Sequence, residues 1–129
     1  MAVMLLLAQS APAGQTVSDA ANTLKVSKIY LEQVFGQLKK AGIIRSQKGS
    51  GGGYFLKGSP HDITAYDILK ATEIALFEAA VGAENEKLQR TLIETVWFPL
   101  DTAVKRALSA VTLQDILDKS KTHEDMFYI

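Results

Sequence analysis

The sequence contains no cysteine, which excludes disulfides and thiolate metal sites outright. Histidine is scarce as well: His61 and His123 stand far apart, lack the spacing of a ligand pair and read as surface residues. Neither stands at a recognisable triad position relative to Ser27 or Ser46, and no pair of carboxylates is singled out as acid and base. No catalytic residue and no metal or cofactor site is therefore expected, and an enzyme is not. Long apolar runs are missing too. The opening Met1-Ala2-Val3-Met4-Leu5-Leu6-Leu7-Ala8 is only about half of the ~18 residues that a membrane helix needs. With Ala11-Pro12-Ala13 behind it, this run has the outline of a secretory signal, but no Lys or Arg precedes it. The favoured reading is the end of a buried helix, one that begins abruptly, as though the start of a longer helix were missing. No membrane span is expected.

Net charge is also absent, since 14 Lys and Arg balance 14 Asp and Glu. The balance conceals a division. Residues 1–58 hold seven basic side chains against two acids, a surplus of +5; residues 59–129 hold seven against twelve, a deficit of −5. Such asymmetry suggests that the first half faces a polyanion while the second is kept off it, although a solvated basic face with no partner has the same composition. The rest of the composition is ordinary. A chain of 129 residues, 47% hydrophobic and 22% charged, suits one soluble globular domain with a modest core. It has no low-complexity segment and no internal repeat.

The most informative stretch is residues 27–54. Leu31, Val34, Phe35 and Leu38 recur at i, i+3, i+4 and i+7, which places them on one stripe of a helix that must be buried. Tyr30, Gln33, Gln37 and Lys40 occupy the other side, with Lys28 and Lys39 on the flanks. Gly42 stops this helix. Ile43-Ile44-Arg45-Ser46 then reads as a strand that passes through the tip Gln47-Lys48-Gly49-Ser50-Gly51-Gly52-Gly53 and returns through Tyr54-Phe55-Leu56. A nucleotide-binding loop is a poor fit to these glycines, because no Gly-Lys-Ser/Thr follows and the segment leads into a strand. A hairpin tip that needs positive φ angles explains them better.

Upstream, residues 1–9 form the apolar helical segment, Pro12 and Gly14 make a turn, and Thr16-Val17-Ser18-Asp19 fits a capping box. The short helix that follows packs through Ala20, Ala21 and Leu24. Lys25-Val26 is the next turn, and Ser27 is the N-cap of the amphipathic helix. Two helices joined by so short a turn form a helix-turn-helix. Downstream, Thr64-Ala65-Tyr66-Asp67 repeats the box and opens a helix over residues 65–77, with Ile68, Leu69, Thr72 and Leu76 on its inner side. Residues 78–85 read as a loop or frayed end. Leu88, Leu92, Val96, Leu100, Val104, Leu108 and Val111 then form a stripe far longer than one face of a small domain requires. Pro99 is expected to kink that helix. Trp97 and Phe98 suit core or dimer interface better than the wall of a ligand pocket. Thr112-Leu113-Gln114-Asp115 caps a last short helix through Leu117, and the remaining tail reads as loose or docked on a partner.

A helix-turn-helix with a wing suits duplex DNA. The recognition helix fits the major groove with its first turns at base edges, while a two-stranded ribbon follows the backbone or enters the minor groove. Ser27, Tyr30, Glu32 and Gln33 lie in those first turns. Gln33 can pair with adenine, and Glu32 can accept from a cytosine amine. Lys28, Lys39 and Lys48 suit phosphates, and Lys48 can also enter a narrow minor groove. The same scaffold can instead bind protein.

The motifs Val26-Ser27-x-x-Tyr30-Leu31-Glu32-Gln33, Leu38-x-Lys40-Ala41-Gly42-Ile43-Ile44-x-Ser46, Gly49-x-x-Gly52-Gly53-Tyr54 and Ile63-Thr64-x-x-Asp67-Ile68 resemble the Rrf-two family of bacterial winged-helix regulators. The similarity is specific over residues 15–75 and continues more weakly through Trp97 and the helix start at Val111-Thr112-Leu113. It implies a homodimer in which each long helix crosses to the other subunit, setting two recognition helices on a palindromic operator. It also implies major-groove roles for Ser27, Tyr30, Glu32 and Gln33, and backbone and wing contacts for Lys39 and Lys48. Ile29 departs from the small polar residue found there in some members. Sensing members hold an iron-sulfur cluster through three cysteines. Thr91 and Glu94 fall where some of them keep a cysteine and the fourth, non-cysteine ligand, and without thiolates no cluster is expected here.

The expectation is thus a mainly α fold with a small β-hairpin wing, a winged helix-turn-helix followed by a long C-terminal dimerisation helix. Residues 1–60 form the DNA-binding region and residues 61–129 a helical linker and dimerisation region. The expected function is a cytoplasmic, nucleoid-associated transcriptional regulator, of repressor type, that binds double-stranded DNA as a homodimer. The alternative is a protein-interaction or small-molecule-sensing module, with an unknown effector and vestigial DNA binding.

Overall fold

Each of the three Thr-x-x-Asp boxes opens a helix. In the computed structural model, which describes residues 1–72 and 85–127, the Asp19 N–H donates to the Thr16 hydroxyl at 3.1 Å and starts α2 (Val17–Leu24), which follows α1 (Ala2–Ser10). The Thr64 and Asp67 pair exchanges both bonds, at 3.0 and 3.1 Å, and opens α4 (Ala65–Thr72). Residues 73–77 of the helix expected there, and the loop expected at 78–84, lie outside the described residues. Thr112 and Asp115 likewise exchange bonds of 2.9 and 3.0 Å, and open α7 (Leu113–Phe127). These reciprocal bonds satisfy donors that a helix start otherwise leaves unpaired.

The helix-turn-helix is α2 and α3 (Lys28–Lys40). Lys25 turns the chain in the left-handed conformation at φ 55°, and its N–H donates to Ala21 O. The Ser27 hydroxyl accepts from the Tyr30 N–H at 3.4 Å and caps α3. At the far end Gly42 has φ 79°; its N–H reaches Lys39 O at 3.0 Å while that of Ile43 reaches Leu38 O at 3.3 Å. This is a Schellman ending, which favours glycine at that position.

Strands β1 (Ile44–Gln47) and β2 (Gly53–Leu56) pair antiparallel, with Ile44 opposite Leu56 and Gln47 opposite Gly53. Gln15 adds a single-residue third rung: it exchanges backbone bonds of 3.0 and 2.7 Å with Tyr54. Positive φ accounts for Gly49, Gly51 and Gly53, but Gly52 has another reason. A Cβ on Gly52 would run into the carbonyl oxygens of Gln47 and Gly49 as the tip folds over itself.

The core gathers under this unit. Phe35, Leu31 and Leu38 of α3, Met4 and Leu7 of α1, Ile44 of β1, Ile68 of α4 and Leu113 of α7 are all but fully buried. Burial of each such side chain contributes roughly 1.5–3 kcal/mol. The opening apolar run is therefore core, as expected of a buried helix. The stacked rings of Phe35 and Tyr54, 4.4 Å apart at 20°, fix the wing to α3.

Beyond the core runs an almost uninterrupted helical arm: α5 (Glu86–Leu92), a π-helical turn (Ile93–Trp97) and α6 (Phe98–Ser109). At Pro99, where a kink is expected, a π turn stands just ahead of the proline and the chain stays helical through it. The Phe98 N–H donates to Ile93 O, five residues back, and Pro99, which has no N–H, falls at the start of α6. None of the arm's residues is buried. The arm returns to the core through a two-sided backbone bridge between Thr64 and Thr112. Ala65 N–H donates to Val111 O at 2.8 Å, and Leu113 N–H donates to Ile63 O at 2.7 Å.

One expectation is corrected at the C-terminus. The last helix does not end near Leu117 but continues to Phe127 and packs on α1. No glycine or proline follows Leu117, and the Gln114 side-chain amide donates to the Asp118 carboxylate one turn on, at 2.9 Å.

Candidate nucleic-acid interface

The exposed surface of α3 and the hairpin tip together form the candidate interface. Lys28, Tyr30, Glu32, Gln33 and Lys39 are exposed along α3, and Lys48 is exposed in the turn between β1 and β2. Ser27 is exposed at the cap, where its hydroxyl oxygen is occupied by the Tyr30 N–H and its proton remains available to donate. All of these lie opposite or beside the buried stripe of Leu31, Phe35 and Leu38. The first turns of α3 therefore bring Ser27, Lys28, Tyr30, Glu32 and Gln33 together. Lys39 stands apart in the last turn, where its charge also complements the helix dipole. Lys48 stands apart again at the wing.

Two wing residues are otherwise engaged. Arg45 places its guanidinium 4.5 Å from the centre of the Phe55 ring, a cation–π contact within the hairpin itself. Tyr30, Gln33 and Gln37 also line a cleft of about 490 Å³ with Met1, Val34, Leu69 and Thr72. A second cleft, of about 680 Å³, lies where the end of α3 meets α4, lined by Gln37, Lys40, Ala41, Ile43, Asp67, Lys70 and Ala71.

Sequence spacing did not single out two residues on this surface, although the resemblance marked Ile29 as a departure. Ile29 is 79% exposed in the first turn of α3, and Gly36 lies farther along the same outward side. The available signals were an isoleucine among polar neighbours and a glycine inside a helix.

A capped, solvent-facing basic helix held against a two-stranded wing defines a winged helix-turn-helix regulator of the DNA-binding class. The family profile of Rrf2, described as an iron-dependent transcriptional regulator, matches residues 1–119. The chain is 33% identical over 132 residues to the HTH-type transcriptional regulator CymR of Bacillus subtilis, covering all of this chain and 93% of that one. The solved structure of CymR, the global cysteine regulator of B. subtilis, superposes with a TM-score of 0.69 at 31% identity, covering 92% of this chain and 89% of that one. IscR of T. potens follows with a TM-score of 0.67 at 28% identity, over 92% of this chain and 80% of that one. This chain belongs to the Rrf2 family. Its family and named relatives are transcriptional regulators. Among the described residues no helix is long and apolar enough to cross a membrane.

The donor set does not fit an iron-sulfur cluster. The chain has no cysteine, and the Thr91 hydroxyl donates to Lys87 O at 2.9 Å. Glu94 is exposed, and among the described residues no group of three His, Asp or Glu could hold a metal ion.

Proposed function

We propose that this chain is a cluster-free transcriptional repressor that binds a pseudo-palindromic operator as a homodimer, in the cytoplasm and associated with the nucleoid. The observation that carries this reading is the pairing of an exposed basic recognition surface with an arm that leaves its apolar stripe uncovered. Leu88, Leu92 and Leu100 are 53%, 41% and 47% exposed in the single chain. Such a stripe is best covered by the same stripe of a second copy, a self-complementary two-fold contact. Residues 1–60 then serve as the DNA-binding region and residues 61–129 as linker and dimerisation region. A two-fold dimer presents two copies of α3 to two half-sites, which matches a palindromic operator.

Within each half-site, Ser27, Tyr30, Glu32 and Gln33 meet base edges, while Lys28, Lys39 and Lys48 meet phosphates. Repression follows from occupancy, because a dimer covering a promoter excludes other proteins from it. A mobility-shift titration of the purified protein against promoter duplexes tests the reading. Binding should weaken steeply with salt, with a log-log slope of about −0.9 per phosphate contact. Lys48→Ala should lower affinity for all sequences alike, whereas Gln33→Ala should blunt discrimination at one base step. The reading fails if no duplex shifts even at low salt.

A second reading, a small-molecule-sensing module, draws support from the cleft of about 680 Å³ beside Lys40 and Lys70. It predicts salt-indifferent partner binding and a ligand that protects the α3–α4 junction from hydrogen exchange.

A further inference from the structure

Ile29 is not part of the core that the described residues form. It lies in the first turn of α3, two residues after the Ser27 cap, and its side chain is 79% exposed. At about 100° per residue it projects from the side of the helix opposite Leu31, Phe35 and Leu38, in line with Gln33, Gly36 and Lys40. Gly36 shares the anomaly. A Cβ built there meets nothing within 4 Å, so packing inside the chain gives no reason for a glycine, which weakens a helix interior relative to alanine. Both residues gain a reason if this line of the helix is pressed against a partner. The absent side chain at Gly36 lets the helix backbone approach closely, and Ile29 then meets whatever apolar group the partner offers.

The surrounding charge identifies that partner. Lys28 and Lys39 flank the line on one side of α3, with Glu32 between them and the line, and residues 1–58 as a whole carry a surplus of five positive charges. In the major groove of duplex DNA, the apolar group on a base edge is the C5 methyl of thymine. We propose that Ile29 is a specificity-determining residue that reads a thymine methyl in each half-site. This inference rests on the DNA-binding reading above and adds one base preference to it.

The test removes the methyl alone. Selection from a random duplex library with the full chain yields a preferred site, in which each thymine is replaced in turn by deoxyuracil. Fluorescence anisotropy then compares the wild type with Ile29→Ala, whose fold is checked by circular dichroism. At one symmetry-related thymine, deoxyuracil should weaken the wild type about four-fold per half-site and leave Ile29→Ala unaffected. The proposal is overturned if wild type and Ile29→Ala respond identically to deoxyuracil at every position, or if neither responds, while DNA binding itself persists. A selection that enriches no duplex would instead sink the DNA-binding reading and this inference together.

Discussion

In the winged-helix head, Phe35, Met4, Leu7, Leu31, Leu38, Ile44, Ile68 and Leu113 close over one another, and the Phe35 and Tyr54 rings stack at 4.4 Å. Along the arm, residues 86–109, no side chain is buried, although leucine and valine recur there with helical spacing. One sequence thus treats its apolar residues in two ways. In the head they are satisfied within the chain, and their arrangement fixes the angle at which α3 and the wing are presented. In the arm they stay exposed, which suits residues whose packing partner is a second molecule. The packed apolar residues are concentrated in the head, and the proposed self-association is left to the arm.

Four variants can break or sharpen that contrast. The largest effect is expected from Phe35→Ala, which empties the centre of the head and removes the stack on Tyr54. It should cost about 3–5 kcal/mol in denaturant unfolding, a large share of the 5–15 kcal/mol typical of a domain. Next comes the double variant Leu92→Glu with Leu100→Glu. Because both positions are exposed in the single chain, its circular dichroism spectrum should match the wild type. Its self-association should weaken by at least ~100-fold in sedimentation equilibrium, because the contact would have to bury unpaired carboxylates. A variant that unfolded instead would show that the arm supports the head.

Gly36→Ala separates stability from recognition within the head. Alanine should stabilise α3 by about 1 kcal/mol and raise Tm by about 4 °C, yet weaken DNA binding in the same preparation. A gain in both would remove the argument that the outward line of α3 is pressed against a partner. The smallest effect is at the joint between arm and head. The Thr112 N–H and hydroxyl, helped by nearby His61, hold the Asp115 carboxyl below its usual carboxylate range. A depressed folded-state pKa contributes stability that is present above the ordinary carboxylate pKa and lost as pH falls through the folded value. Asp115→Ala should therefore lower Tm slightly at neutral pH and leave it unchanged in acid, where the wild-type carboxyl is already protonated.

Much of the head was legible because its signals are local. The Thr-x-x-Asp boxes, the Ser27 cap, the Gly42 stop and the apolar stripe of α3 each act within one or two helical turns. The long stripe of the arm was legible for the same reason. What escaped depends on contacts distant in sequence or on the absence of a breaker. Gln15 pairs with Tyr54 as a single residue, too short to leave a strand pattern. Gly52 is required by the carbonyls of Gln47 and Gly49 rather than by φ. The π turn ahead of Pro99 has no spacing signal of its own, and the extension of α7 to Phe127 continues a helix that was expected to end near Leu117. On the candidate interface, side-chain types picked out the polar residues of α3 and the resemblance marked Ile29 as a departure, while its exposure shows that this apolar group faces outward on the same surface.

The division of labour between head and arm is tested most directly by the salt dependence of binding to one palindromic duplex. The wild type is compared with Leu92→Glu/Leu100→Glu, and log affinity is plotted against log salt. With two heads on the duplex, the wild-type slope should be about twice that of the variant, each phosphate contact adding about −0.9. Equal slopes for the two proteins would contradict the account, because the arm would then have no part in bringing a second recognition helix to the DNA.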